Sequence, residues 1–448
     1  MNTPIFDFVR AYADADVSRF HMPGHKGRSF LGCEALDITE INGADVLYAP
    51  DGVIAESESN ASELFGTAHT FYSAEGSSLC IKAMLGLVAE RPLGGRKPLI
   101  LAARNVHKAF VYAAALLDLR VAWLMPKAGE HLCRCTVEPS DVRNALESMT
   151  EAPDAVYLTS PDYLGNLCDI AGIASVCREK RIPLLVDNAH GAYLRFLSPS
   201  QHPISLGATA CCDSAHKTLP VLTGGAYLHI SKDADRGFLQ AARARLALFA
   251  STSPSYLILQ SLDLCNRYLA SDYSSRLQAC IQRIAQVKAR LAAQGFFVEV
   301  TEPLKLVLRA SRFGYTGEEL AEHLRAYRIE VEFADPSYLV LMATPETRDE
   351  DFERLIKAFE ALTPKAAKKD FDANICISAG EYVLSIREAI LSPRETVAPR
   401  DAVGRICASP TVSCPPAVPI VISGERITEA AARAMQHYGA FFIDVVKE

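Results

Sequence analysis

Between residues 76 and 230 short apolar runs alternate with segments of helical spacing, and this alternation constrains the chain more than any other feature. PLILAARN (98–105), RVAWLMP (120–126), AVYLTSP (155–161), IPLLVDNAHG (182–191), GATACCDS (207–214) and GGAYLHI (224–230) read as strands. KAFVYAAALL (108–117), SDVRNALESM (140–149) and IAGIASVCREK (170–180) read as helices between them. Parallel strands need long crossovers, and helices placed as crossovers cover both sheet faces, so the pattern predicts an α/β fold with a mostly parallel sheet sandwiched by helices. Ligands of such sheets bind beyond the carboxyl ends of the strands. Asp187 and Lys217 both fall just past strand ends.

The remaining segments suggest four parts: an N-terminal segment (1–50), a large domain (51–255), a helical linker with a small α/β domain (256–362), and a C-terminal domain (363–448). In the third part FFVEV, KLVLRA, IEVEFAD and YLVLMA read as strands. The fourth opens on the polar hinge TPKAAKKDFDAN (363–374) and reads as a compact tail dominated by turns. With 448 residues, 49% hydrophobic and 22% charged, the chain can bury a substantial core. A net charge of −7 with no basic block argues against nucleic acid as a partner and favours a small molecule.

The charge-free stretches 246–262 and 407–424 are broken by Pro254 and by four prolines, so no membrane helix is expected. The start MNTPIFDFVR lacks a secretory pattern, which makes the cytoplasm the default location. Thirteen cysteines at irregular spacing suit reduced, mostly buried thiols better than a disulfide framework. His131, Cys133 and Cys135 of HLCRC lack a second ligand pair, and no metal is expected.

Lys217 sits in DSAHKTLP, between two apolar runs, where a buried ammonium would be costly unless something compensates it. Three other motifs occupy comparable positions. EGSSLCIKAMLG (75–86) opens a helix with Gly76, Ser77 and Ser78, which suits a phosphate or a plain N-cap. RNVHKAF (104–110) places His107 directly after a strand, as a core, capping or functional histidine. LLVDNAHG (184–191) ends a buried strand at Asp187, with His190 three residues on; the acid suits a metal, an N-cap or a cofactor, and no GxxxxGK[ST] loop supports nucleotide hydrolysis. Pyridoxal phosphate needs all four: a Schiff-base lysine, an acid at its pyridine nitrogen, a phosphate cup and a flat group on the ring face. A cationic neighbour would help that lysine deprotonate, and His216 is its neighbour in sequence.

These motifs, with RFHMPGHKG (19–27), ITEINGADVLYAPDGVIAESE (38–58), FGTAHTFY (65–72), TSPDYLGNLCDI (159–170), LTGGAYLH, TSPSYLILQSLD (252–263) and APRDAVGRICASP (398–410), resemble in order the bacterial ornithine/lysine/arginine decarboxylases. The resemblance covers nearly the whole chain. It implies the fold of aspartate-aminotransferase-like (fold type I) pyridoxal phosphate enzymes, decarboxylation of a basic amino acid, a role in making polyamine precursors, and a homodimer. It assigns Lys217 to the Schiff base, Asp187 to the pyridine nitrogen and His107 to the ring face. Gly76, Ser77 and Ser78 fall to the phosphate, Ser214 and His216 to phosphate or substrate, and His190 to the site without a fixed role. Lys217, His216 and Asp187 form the catalytic set, with His216 or Lys217 returning a proton to the α-carbon. HMPGHKG becomes a rigid loop at the site's mouth, although its residues also suit a solvated turn.

Departures from the family pattern fall at Glu75, Asn188, Gly224, Cys414 and Ala417, where NG, glutamate, glutamine, tyrosine and glycine are usual. A carboxylate at Glu75 would repel a phosphate unless it points away. Two other readings share the scaffold: a related fold type I enzyme acting on another amino acid or by another reaction, and a cofactor-binding regulator without turnover.

Overall fold

The structure, a computed structural model, describes residues 1–90, 95–368, 380–410 and 416–447. These fall into two compact units, Met1–Glu90 with Ile170–Ser275, and Arg91–Asp169 with Arg276–Glu448. Seven strands form in chain order: β1 (His69–Ser73), β2 (Leu99–Ala103), β3 (Arg120–Leu124), β4 (Ala155–Thr159), β5 (Leu184–Asp187), β6 (Ala210–Asp213) and β7 (Ala226–Ile230). The helices expected between them are Lys108–Leu117, Pro139–Ser148 and Ile170–Lys180. The chain is thus α/β, with a mostly parallel sheet flanked by helices.

In the first unit the strand order is β1-β7-β6-β5. β5 and β6 run parallel, with Asp187 opposite Cys212, while β7 is antiparallel to β6 and to β1. Every residue of β5 and of β6 is buried. Covering on both faces removes the polar alternation of a half-exposed strand and leaves the continuous apolar runs seen in the sequence. β1 was not expected as a strand. Its sequence HTFYS is buried from Thr70 onward, so polar side chains sit inside and the apolar run that marks a covered strand is missing.

In the second unit β2 runs parallel to both β3 and β4. A separate antiparallel sheet has the order β8-β10-β9, from β8 (Lys305–Arg309), β9 (Phe333–Ala334) and β10 (Tyr338–Met342). FFVEV is not one of its strands: it makes one isolated bridge, Val298 to Leu308, and Val300 is 96% exposed. IEVEFAD contributes only the two residues of β9.

The C-terminal region also departs from expectation. It holds helices Ile386–Leu391 and Glu429–His437 and a pair of antiparallel strands, β11 (Arg394–Val397) and β12 (Ile443–Val446). Its core includes Val418, Ile420, Ile427, Met435, Ile443 and Val445. Short elements separated by prolines read as turns when each is taken alone. Burial against one another supplies the stability that local propensity does not.

Among the described residues, no helix is long and apolar enough to cross a membrane. The HMPGHKG loop is tied largely to its own surroundings: Lys26 Nζ donates to the carbonyl of His21, His25 Nε2 meets Asp37 at 3.2 Å, and Tyr12 meets His21 at 2.6 Å.

Candidate active site

The first unit brings most of the expected residues together at adjacent strand ends. β5 closes on Asp187, which is 2% exposed; its Oδ1 accepts the Ala189 N–H at 3.2 Å and the Cys212 thiol at 3.7 Å. The next strand, β6, runs through Asp213 and Ser214 into the single helical turn Ala215–Thr218, which carries His216 and Lys217. Lys217 Nζ lies 3.1 Å from Nε2 of buried His190, which stands on the same loop as Asp187. Ser214 Oγ donates to Ser77 Oγ at 2.6 Å, joining this turn to the first turn of the helix Gly76–Val88, where Ser78 also stands.

Three expectations change in detail. His216 is not the partner of Lys217. Its ring Nδ1 lies 3.0 Å from the Gly225 carbonyl, and its backbone N–H donates to the same oxygen. A carbonyl only accepts, so Nδ1 carries the proton and Nε2 keeps its lone pair. Burial pushes the His216 pKa below the usual histidine value, and Lys217 adds to the shift. His216 is therefore neutral, and the cationic-neighbour role fails for it. Neighbours on a helical turn diverge, while His190, 27 residues away, is folded onto the lysine.

Gly76 does not offer its N–H to a phosphate, because that group donates to the Gly224 carbonyl at 2.7 Å. Glu75 points away from the helix start: its Oε1 accepts the Ser251 N–H at 2.7 Å. Gly224, at φ +99°, accepts the Gly76 bond in a backbone region that a side chain enters only with strain, and a Cβ there would meet the Ala74 carbonyl at 3.1 Å. At both departures, Glu75 and Gly224, the chain thus leaves the helix start free of a side chain of the wrong charge or bulk.

His107 belongs to the second unit, as the N-cap of the helix Lys108–Leu117, and its Nδ1 accepts the Ala109 N–H at 3.1 Å. Capping fixes the ring through one nitrogen edge. The C-terminal region grips both sides of this histidine. Buried Arg104 donates to the carbonyls of Pro419 and Ile420 at 2.9 and 3.0 Å and pairs with Glu425 at 3.3 Å, and the Lys108 N–H donates to the Ala417 carbonyl at 2.9 Å.

Cys414 lies outside the described residues. Ala417, where the family pattern has glycine, holds φ +59° at 1% exposure, in the left-handed region that favours glycine. Strain of about 1–2 kcal/mol is offset by the chain entropy that glycine would lose and by burial of one methyl, about 0.8 kcal/mol. Ala417→Gly should therefore leave stability within about 0.5 kcal/mol of the parent, whereas Ala417→Val, β-branched at positive φ, should cost about 2 kcal/mol or more. Urea unfolding compares the two; equal losses would mean that packing and not backbone conformation rules the position.

Among the described residues, His202, Cys211 and Asp213 place possible metal ligands within 4.8 Å of one another. The Nε2 atoms of His202 and His229 both face the Asp213 carboxylate, so each carries its proton and keeps no lone pair there for a metal. His131 meets Asp335 at 2.5 Å through Nε2 and accepts the Cys133 N–H at Nδ1.

The chain is similar to known proteins over nearly its whole length. The sequence profile of the Orn/Lys/Arg decarboxylase major domain matches residues 3–353, and that of its C-terminal domain matches residues 375–447. An arginine decarboxylase of Halalkalibacterium halodurans is 30% identical, with 96% of this chain and 91% of the relative covered. Two further relatives come from Bacillus subtilis. The uncharacterised protein YaaO is 30% identical over 97% of this chain and 94% of its own length, and an arginine decarboxylase is 28% identical over 95% and 91%. The Francisella novicida lysine decarboxylase LdcF superposes with a TM-score of 0.82 at 16% identity, covering 99% of this chain and 81% of that one. The Escherichia coli constitutive lysine decarboxylase gives 0.78 at 17% identity, covering 100% and 82%.

Proposed function

Because the chain belongs to the Orn/Lys/Arg decarboxylase family, we propose that it removes the α-carboxylate of a basic amino acid, arginine first, with pyridoxal phosphate held at Lys217. The observation that carries this reading is the 3.1 Å contact between Lys217 and His190, on the loop that Asp187 opens. The donor set fits the cofactor. Hydroxyls of Ser77 and Ser214 meet at a helix start whose first turn also carries Ser78, where N–H groups and the helix dipole favour a phosphate. When bound, pyridoxal phosphate supplies the electron sink for the pair left by departing CO₂.

The chain's own residues do the rest. Asp187 would pair with the cofactor's ring nitrogen and keep it protonated, a task for a carboxylate fixed by its bonds to Ala189 and Cys212. Lys217 and His190 share a hydrogen bond through which a proton moves between Nζ and Nε2, so Lys217 is the group that returns a proton to the α-carbon. Neutral His216 presents Nε2 as an acceptor to phosphate or substrate. The ring-face role of His107 is carried by the family resemblance alone; within its own unit the residue caps the helix Lys108–Leu117.

Arginine is favoured over lysine because several nearly full-length relatives at 28–30% identity, though not YaaO, carry the name arginine decarboxylase. We assign the protein to polyamine-precursor synthesis in the cytoplasm, a reading supported by the cysteines among the described residues, eleven of the thirteen, which are free thiols. A homodimer is supported by Phe20, Phe30 and Leu31, exposed at 98%, 79% and 90%. Glu34 braces the segment that presents the last two: its carboxylate accepts the N–H groups of Phe30, Leu31 and Gly32, which hold its pKa down at about 2.

The test is the holoenzyme with arginine, lysine, ornithine and non-basic amino acids, following CO₂ and amine together while sedimentation reads the oligomeric state. Equimolar CO₂ and amine, with the highest kcat/KM for arginine, is the expected result. A keto acid in place of CO₂ would point to another reaction on the scaffold, and no turnover at all to a regulator.

A further inference from the structure

Behind the site lies a polar cluster that none of these roles uses. Asp213, Asn188, His202 and His229 are all 0% exposed. Asp213 Oδ1 accepts Nδ2–H of Asn188 at 2.6 Å, and its Oδ2 accepts Nε2–H of His202 at 3.0 Å and of His229 at 3.1 Å. The far side of His229 meets the Thr70 hydroxyl at 2.9 Å, which meets Thr67 at 2.8 Å. Burial pushes the Asp213 carboxyl up, but the two imidazoles outweigh it and hold the group below the usual carboxylate range. The other titratable groups that feel its charge are Cys80, Cys211, Cys212 and Tyr227, each shifted upward chiefly by burial, and Arg195 adds a positive charge near His229.

Asn188 directly follows Asp187, and Asp213 directly precedes Ser214. The backbone ladder between β5 and β6 ends where the Asn188 N–H meets the Cys212 carbonyl at 3.0 Å. The side-chain bond from Asn188 to Asp213 then continues the connection by one more step, into the two loops that carry Asp187 with His190 and Ser214 with Lys217.

We infer that Asn188 and Asp213 form a tie that fixes the separation of the Asp187 loop from the Lys217 turn. Both are positioning residues. The tie explains the departure at Asn188, since a carboxylate at that position would meet a second carboxylate with no water to screen it. It also accounts for Gly191, because a Cβ there would fall 2.0 Å from Asn188 Oδ1. This inference rests on the reading of Asp187 and Lys217 as cofactor residues.

The test compares Asn188→Asp with Asn188→Asp/Asp213→Asn in the holoenzyme. In the single variant two buried carboxylates share one proton, so the tie is made at low pH and broken at high pH. The expected result is a pyridoxal phosphate Kd that rises about 10-fold or more between pH 6 and 9 beyond the parent's own change, with kcat falling similarly while KM stays within about 2-fold. In the double variant the amide at 213 donates to the carboxylate at 188 while its oxygen still accepts from both imidazoles. Kd should return to within about 3-fold of the parent, and the added pH dependence should vanish.

Parent-like Kd, kcat and pH profile in the single variant would overturn the tie, as would a double variant that fails to restore them. If the single variant does not fold, the double variant must fold and bind cofactor, or the idea fails. Borohydride reduction of the parent separates the two levels. Label away from Lys217 removes the underlying reading and the tie with it, while label on Lys217 leaves the variants to judge the tie alone.

Discussion

Lys217→Ala is expected to lose turnover by roughly 10³-fold or more while the fold and much of the phosphate binding persist. The side chain stands on a one-turn helix whose backbone is held independently: the Lys217 N–H donates to the Ser214 carbonyl at 3.0 Å and the Leu219 N–H to Ala215 at 2.8 Å. Truncation therefore removes the amine without removing the turn, and Ser77 and Ser214 remain in contact. Borohydride reduction of the parent should fix the cofactor on the peptide containing Lys217, and the variant should release it on gel filtration. Recovery of label on Lys26, Lys82 or Lys108 would sink the assignment.

Asp187→Asn is expected to keep pyridoxal phosphate within about 10-fold of the parent affinity while kcat falls by about 10²–10³-fold. An amide oxygen can still accept the Ala189 N–H that Asp187 now accepts, so the loop keeps its shape. What the variant would lose is the negative charge that, on the proposed reading, keeps the cofactor's ring nitrogen protonated so that it draws electrons from the breaking bond. Apo-protein titration with cofactor and single-turnover kinetics separate binding from chemistry. A variant with parent-like turnover would show that Asp187 is only a turn residue.

The local pattern of the sequence was enough to place six strands and the helices between them, because β2–β7 are short, apolar and bounded by loop residues. For the same reason Asp187 and Lys217 could be seen at strand ends. β1 escaped because Thr70 and Ser73 are buried polar residues in a strand without an apolar run. The C-terminal elements escaped because their core assembles from pieces too short to signal alone, such as Ile443 with Met435 and Val418.

The sequence by itself determined the fold class, the family pattern, and which lysine, acid and serines stand where chemistry is possible. These are properties of spacing, and spacing is covalent. Only the tertiary structure decided which group meets which. It set His190 on Lys217 and turned His216 to Gly225, sent Glu75 to Ser251, and committed the Gly76 N–H to Gly224. It also gathered Asn188, His202, Asp213 and His229 into one buried cluster from four stretches of chain. Hydrogen bonds of about 3 Å depend on where strands end and on how each side chain leaves its backbone. Those directions are fixed by packing, so residues adjacent in sequence part company and residues 27 apart come into contact.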